Sequence, residues 1–216
     1  MPIIIKQEVL QSNSQRYTIA FPDGYTGEEP VPLIIALHFA GHGTPYYGRM
    51  ILEHLVEPAL RELGAIIVAP DCTAESWSKI ESERDVLCLL DFIVKTCNVD
   101  EGRILIAGYS MGGNGAWYLS ARNPGRFSAA VIMSGWPPAE IGHDDWQVPA
   151  YIIHSRDDEF MPIGPTQYAV STLVEQGAEV KFIILEGITH FETHRFIEPL
   201  NSSISWIDEI WQRKGS

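Results

Sequence analysis

Cysteine is scarce in this sequence: Cys72, Cys88 and Cys97 are the only three in 216 residues. Their odd number and spacing match neither a disulfide framework nor a metal-ligand pattern, so free thiols in a reducing cytoplasm are the expectation. Positive charge is also scarce. Fifteen Lys and Arg face 28 Asp and Glu, a net charge of −13, and so acidic a chain lacks the surface that nucleic acid or an anionic membrane would need. No apolar run approaches the roughly 20 residues of a membrane span. No segment repeats and no tract is compositionally biased. The opening Met1-Pro2-Ile3-Ile4-Ile5-Lys6 has no basic leader with a long apolar stretch and a small-residue cleavage site, and it reads as a first strand.

What is present is organised around Arg103-Ile104-Leu105-Ile106-Ala107-Gly108-Tyr109-Ser110-Met111-Gly112-Gly113-Asn114-Gly115. An apolar β-type run enters Gly-x-Ser-x-Gly and a helical pattern leaves it. A serine at such a corner is held in a strained conformation with its hydroxyl at the top of a sheet. Gly108 and Gly112 leave room for strand and helix to cross, where a Cβ would collide. The Met111 amide opens the helix and points where an oxyanion would form.

The rest of the chain alternates. Strands are expected at Ile3 to Leu10, Tyr17 to Phe21, Leu33 to Leu37, Ala65 to Ala69, Arg103 to Ala107, Ala129 to Met133, Val148 to His154 and Val180 to Leu185. Helices are expected at Tyr46 to Leu63, with Pro58 kinking or dividing it, and at Ser82 to Thr96, Met111 to Arg122, Thr166 to Gln176 and Ile204 to Trp211. Unbroken apolar strands in a βαβ rhythm mean a mostly parallel sheet of about eight strands, covered by helices on both faces, with two antiparallel strands at its start. Residues 1–216 form one α/β domain in this reading, and the stretch from Trp136 to Gln147 is too short for a helical cap.

A nucleophilic Ser110 needs a base, and the base needs a carboxylate to orient it. After this kind of turn the acid precedes the histidine in the chain. Acids follow the strand ending at His154, where Asp157 and Asp158 compete; histidines follow the strand ending at Leu185, where His190 and His194 compete. Both clusters fall beyond the carboxyl ends of parallel strands, where open α/β sheets place their sites.

From Val99-Asp100-Glu101-Gly102-Arg103 through Gly108-Tyr109-Ser110-Met111-Gly112-Gly113 to Pro124-Gly125-Arg126-Phe127, the chain resembles the α/β-hydrolase superfamily. Within it the likeness is to carboxylesterases of the phospholipase/carboxylesterase, dienelactone-hydrolase-like and polyhydroxybutyrate-depolymerase-like groups, and it runs from about Leu33 to about Phe191. Such esterases often carry His-Gly-x-x-Asp-x-x-Val-Pro around the acid. His154-Ser155-Arg156-Asp157-Asp158-Glu159-Phe160-Met161-Pro162 aligns Asp158 with it, and Gly187-Ile188-Thr189-His190 aligns His190 with the family's base. Dienelactone hydrolases use a cysteine nucleophile where this chain has Ser110.

The resemblance implies an oxyanion hole from the amides of Met111 and Ala40. Phe39 stands where relatives have glycine, which puts that register in question, and His38 would brace the loop. His42 either lines the mouth or faces water. The implied activity is hydrolysis of short-chain or bulky carboxylic esters through an acyl-enzyme, with no metal or organic cofactor. Phe39, Trp136 and Phe160 are candidate substrate contacts; Trp77, Trp146 and Phe191 could also line a pocket or simply pack loops. A small-molecule ester is the expected partner, with no nucleic acid and no membrane span, and a homodimer is compatible with the composition. Thioesterase or peptidase chemistry would suit the same residues, and a non-catalytic binding protein is the bland alternative.

Overall fold

The computed structural model describes residues 4–41, 43–142 and 146–214. Eight strands build one sheet: β1 (Ile4–Leu10), β2 (Gln15–Phe21), β3 (Val31–Leu37), β4 (Ile66–Pro70), β5 (Val99–Tyr109), β6 (Ala129–Met133), β7 (Ala150–Ser155) and β8 (Val180–Leu185). Their order is β1-β2-β4-β3-β5-β6-β7-β8. β1 pairs antiparallel with β2 and β2 antiparallel with β4, and every later pairing is parallel. This is the expected α/β-hydrolase sheet.

Parallel strands buried on both faces explain the apolar runs. In β3, Leu33, Ile35 and Leu37 face one cluster while Ile34 and Ala36 face the other; Ile104 and Ile106 of β5 likewise oppose Leu105 and Ala107. The first cluster is covered by helices α2 (Ile80–Thr96), α3 (Met111–Arg122) and α4 (Gly164–Glu175), through Val86, Leu89, Ala116, Trp117 and Leu173. The second is covered by α1 (residues 49–63), α5 (Ile197–Asn201) and α6 (Ile204–Lys214), through Leu52, Leu55, Leu200, Ile207 and Trp211. No helix among the described residues is long and apolar enough to cross a membrane.

Three details depart from the sequence expectation. Helix α1 runs through a π segment, Leu52–Val56, before resuming as α at Glu57–Leu60. Pro58 has no N–H to give back to the preceding turn, and widening that turn absorbs the misfit. Strand β5 starts at Val99, four residues early, because Val99 pairs with Val31 across an irregularity in register; the intervening Asp100 accepts from the Gly102 amide and pairs with Arg103. A 3-10 turn, Thr193–Phe196, and α5 occupy the stretch between β8 and the last helix, where the sequence pattern predicts no element.

The sheet order positions the site. From β3 the chain moves to β4 on one side, then crosses back to β5 on the other, so the chain direction divides at β3. The segment after β3 turns toward α1 on one face, and the turn after β5 enters α3 on the other. Their divergence opens a crevice at the carboxyl ends of the strands, between the 38–41 loop and Ser110.

Candidate active site

Ser110 sits between β5 and α3 with φ 57° and ψ −118°, a left-handed conformation that costs a non-glycine residue about 1–3 kcal/mol. The surroundings hold it there: the Ser110 amide donates to the Met133 carbonyl at 2.9 Å, and the Asn114 amide to the Ser110 carbonyl at 3.0 Å. The two motif glycines make the crossing possible. A Cβ on Gly108 would lie 2.0 Å from the Gly112 carbonyl oxygen, and one on Gly112 would lie 1.9 Å from that of Leu37. The helix start therefore rests on the ends of both β5 and β3.

His190 reaches this serine from the loop after β8. Its Nε2 is 2.9 Å from Ser110 Oγ, and its Nδ1 is 2.8 Å from Asp158 Oδ2 and 3.0 Å from Oδ1. All three side chains are buried, at 4–5% exposure. The imidazole can give Nδ1–H to the carboxylate and offer the Nε2 lone pair to the serine hydroxyl, the tautomer a general base needs. Asp158 Oδ1 also accepts the amides of Met161 at 2.6 Å and Phe160 at 3.1 Å. Burial alone would push this carboxyl up; the bonds from His190 and Met161 outweigh it and hold the acid below its usual range.

The competing residues have other places. Asp157 Oδ2 accepts the Gly187 amide at 2.6 Å, so it ties the two loops together from an exposed position. His194 is exposed on the 3-10 turn. Ser155 Oγ donates to the Ile188 carbonyl at 2.6 Å, which adds a further rung between the same loops.

Ala40 and Met111 line one cleft of about 420 Å³, together with Arg16, Tyr47, Asp71 and Thr73. The Met111 amide, at the first helical position, has no partner within its helix. His38 braces the loop as expected: Nδ1–H donates to the Phe39 carbonyl at 2.7 Å, and Nε2 accepts the Cys72 amide at 3.1 Å. Phe39 is half-buried, its ring edge-on to Tyr47 and Tyr109 at centroid distances of 5.7 and 6.4 Å. His42 lies outside the described residues. A larger hollow of about 490 Å³ beside Ile5, Phe21 and Glu57 is lined by none of these groups.

The aromatic candidates separate cleanly. Trp77 is fully buried and gives its indole N–H to the His38 carbonyl at 2.9 Å; Trp146 packs on Trp117 at 4.9 Å. Both are core, not pocket wall. Trp136 is half-buried after β6, its amide held by Asn114 Oδ1 at 3.0 Å. Phe160 and Phe191 are 60% and 74% exposed, and their rings lie 5.1 and 5.4 Å from that of His190. Among the described residues, no group of three or more His, Cys, Asp or Glu side chains could hold a metal ion.

Two further histidines are buried and neutral. Burial holds both His38 and His154 below the ordinary value of 6.5. His154 gives Nε2–H to the Met161 carbonyl at 2.7 Å, and its buried Nδ1 has no partner. In the unfolded chain both take up protons as pH drops through about 6.5, whereas the folded chain resists. Their stabilising contribution is therefore full above that pH and is lost below it. Urea unfolding should record a stability that falls as the pH drops from about 6.5 toward 5, because the unfolded chain binds more protons than the folded one over that range. A stability flat across that range would mean that both histidines titrate normally in the fold.

A family model described as the dienelactone hydrolase family matches residues 17–205. A probable feruloyl esterase C of Aspergillus oryzae is 30% identical over 194 residues, covering 82% of this chain and 67% of that protein. The chain spans 58% of a namesake from Aspergillus niger. Among solved structures, a fungal esterase from Rhizomucor miehei aligns with TM-score 0.76 at 16% identity, over 98% of this chain and 85% of that one. An acylaminoacyl peptidase aligns with TM-score 0.75 at 15% identity, over 96% of this chain and 42% of that one. The structural likenesses establish the fold, and the fold alone does not separate ester from amide substrates.

Proposed function

Because the chain belongs to the dienelactone hydrolase family of α/β-hydrolases, and its relatives include esterases, we propose that it hydrolyses carboxylic esters of aromatic acids through a Ser110–His190–Asp158 triad. The observation that carries the reading is the continuous hydrogen-bonded chain from Ser110 Oγ through His190 to Asp158, assembled from the ends of β5, β7 and β8. We read residues 1–216 as one domain that carries this site.

In this mechanism His190 Nε2 takes the Ser110 proton as Oγ attacks the ester carbonyl. Asp158 holds the imidazole tautomer and stabilises the imidazolium. The amides of Met111 and Ala40 donate to the oxyanion, each worth about 10²–10³ in turnover. His190 then protonates the departing alcohol, and water activated by the same imidazole releases the acid. Serine as nucleophile separates this chemistry from that of the cysteine enzymes for which the family is named.

The substrate class rests on Phe160 and Phe191. Their rings, 6.0 Å apart, flank His190 and stand in solvent, where a flat aromatic group entering the site would stack on them and shed water from both faces. That matches the name of the feruloyl esterase relative. The test is a panel of p-nitrophenyl acetate, methyl ferulate, a thioester and a peptide anilide. Methyl ferulate should give the highest kcat/KM, and Phe160→Ala should raise its KM roughly 2- to 10-fold, the worth of one aromatic pair. Preference for acetate in both proteins removes the aromatic assignment, and cleavage of the anilide without the esters removes the esterase reading.

A further inference from the structure

The base stands at an edge of the sheet. Among the described residues β8 is one of the two edge strands, paired with β7 alone, and it leads into the 187–192 loop that must hold an imidazole within hydrogen-bond reach of Ser110 and Asp158. A loop leaving an edge is where local opening costs least. Yet two bonds grip the His190 main chain itself, one at each end of the residue. The Tyr109 hydroxyl donates to the His190 carbonyl at 2.6 Å, and the His190 amide donates to Glu159 Oε2 at 3.0 Å.

The origin of the two grips is the informative part. Tyr109 directly precedes Ser110 and Glu159 directly follows Asp158. The chain neighbour of the nucleophile holds one end of the base and the chain neighbour of the acid holds the other. We propose that Tyr109 and Glu159 are positioning residues, which lock the backbone of His190 into the frame of Ser110 and of Asp158 at once; the proposal rests on the triad reading above.

The two grips differ in kind. Tyr109 is buried, 1% exposed, and its ring is packed edge-on against Phe196 at 5.0 Å and tilted against His190 at 5.4 Å. Burial pushes its hydroxyl well above the usual phenol range, so it stays a donor. Glu159 is exposed, and its bond to the amide is charge-assisted, which makes it stronger than a neutral one. Among the described residues neither side chain is hydrogen-bonded directly to Ser110 or Asp158, and each bonds the His190 main chain. A displacement of about 1 Å at such a base costs on the order of 10²-fold in turnover.

The experiment compares Tyr109→Phe, Glu159→Ala and Glu159→Gln with Ser110→Ala and the unmodified protein. It reads kcat and KM on a p-nitrophenyl ester, and the rate at which a fluorophosphonate modifies Ser110. Tyr109→Phe and Glu159→Ala should each lower kcat by about 10- to 100-fold while KM stays within about 2-fold, and phosphonylation should slow in parallel. Glu159→Gln keeps an oxygen acceptor without the charge and should recover about half of the loss on a logarithmic scale. A role confined to stability would lower the melting temperature and leave kcat of the folded fraction untouched; that result overturns the proposal. So does Glu159→Gln behaving like Glu159→Ala. If Tyr109→Phe does not fold, the Glu159 pair decides alone. A dead Ser110→Ala beside fully active Tyr109 and Glu159 variants removes the positioning role and leaves the triad standing, whereas an active Ser110→Ala removes the triad itself.

Discussion

Ser110→Ala is expected to lower kcat for ester hydrolysis by about 10⁴-fold or more, with KM little changed. On the proposed mechanism the variant loses the attacking atom and keeps the rest of the site: Met111 and Ala40 still line the cleft, and His190 still bonds Asp158. The rate that remains should exceed the reaction in water, because positioning and oxyanion stabilisation act without a nucleophile. Alanine at position 110 must adopt the same left-handed backbone as serine, so the strain is unchanged and the loss reports chemistry rather than unfolding. Steady-state kinetics on a p-nitrophenyl ester, with the melting temperature measured alongside, checks both halves. A variant that keeps a tenth of the activity would place the nucleophile elsewhere.

Exchanging each of the adjacent acids for its amide should separate them by orders of magnitude. Asp158→Asn preserves an oxygen for the Phe160 and Met161 amides, so the loop should keep its shape. Its NH₂ group, turned to His190 Nδ1, favours the wrong imidazole tautomer and leaves the imidazolium without a counter-charge. The expected loss in kcat is about 10⁴-fold. Asp157→Asn only weakens one bond to the Gly187 amide, and its loss should stay below about 10-fold. The opposite ranking would move the acid to Asp157.

The fold was legible because its strands are buried on both sides: continuous apolar runs such as Leu33-Ile34-Ile35-Ala36-Leu37 have few other uses. The Gly108–Gly112 turn was legible for a related reason, since its glycines answer a steric demand that local sequence expresses directly. Side-chain environment was harder to read. Trp77 and Trp146 fall in loop sequence yet are buried, because a loop that leaves a sheet can turn its largest residue back under itself. The grips on His190 were not legible at all. They run from side chains to a main-chain amide and carbonyl, and a backbone acceptor leaves no residue type at position 190 to announce its partner. Asp157 shows the same limit, since its bond ends on the amide of Gly187.

The left-handed serine sets folding and chemistry against each other. At φ 57° glycine would be at ease and serine is not, so the roughly 1–3 kcal/mol of conformational strain is a large fraction of the 5–15 kcal/mol by which a domain of ordinary stability holds together. A chain selected only to be stable would drift toward glycine at that corner, and would have no need to build the walls that force a side chain into it. The walls are here: Met133, Asn114 and the close crossing of α3 over β3 and β5. Their cost is borne by the whole fold, which makes the marginal stability of this domain partly a record of where its hydroxyl must point.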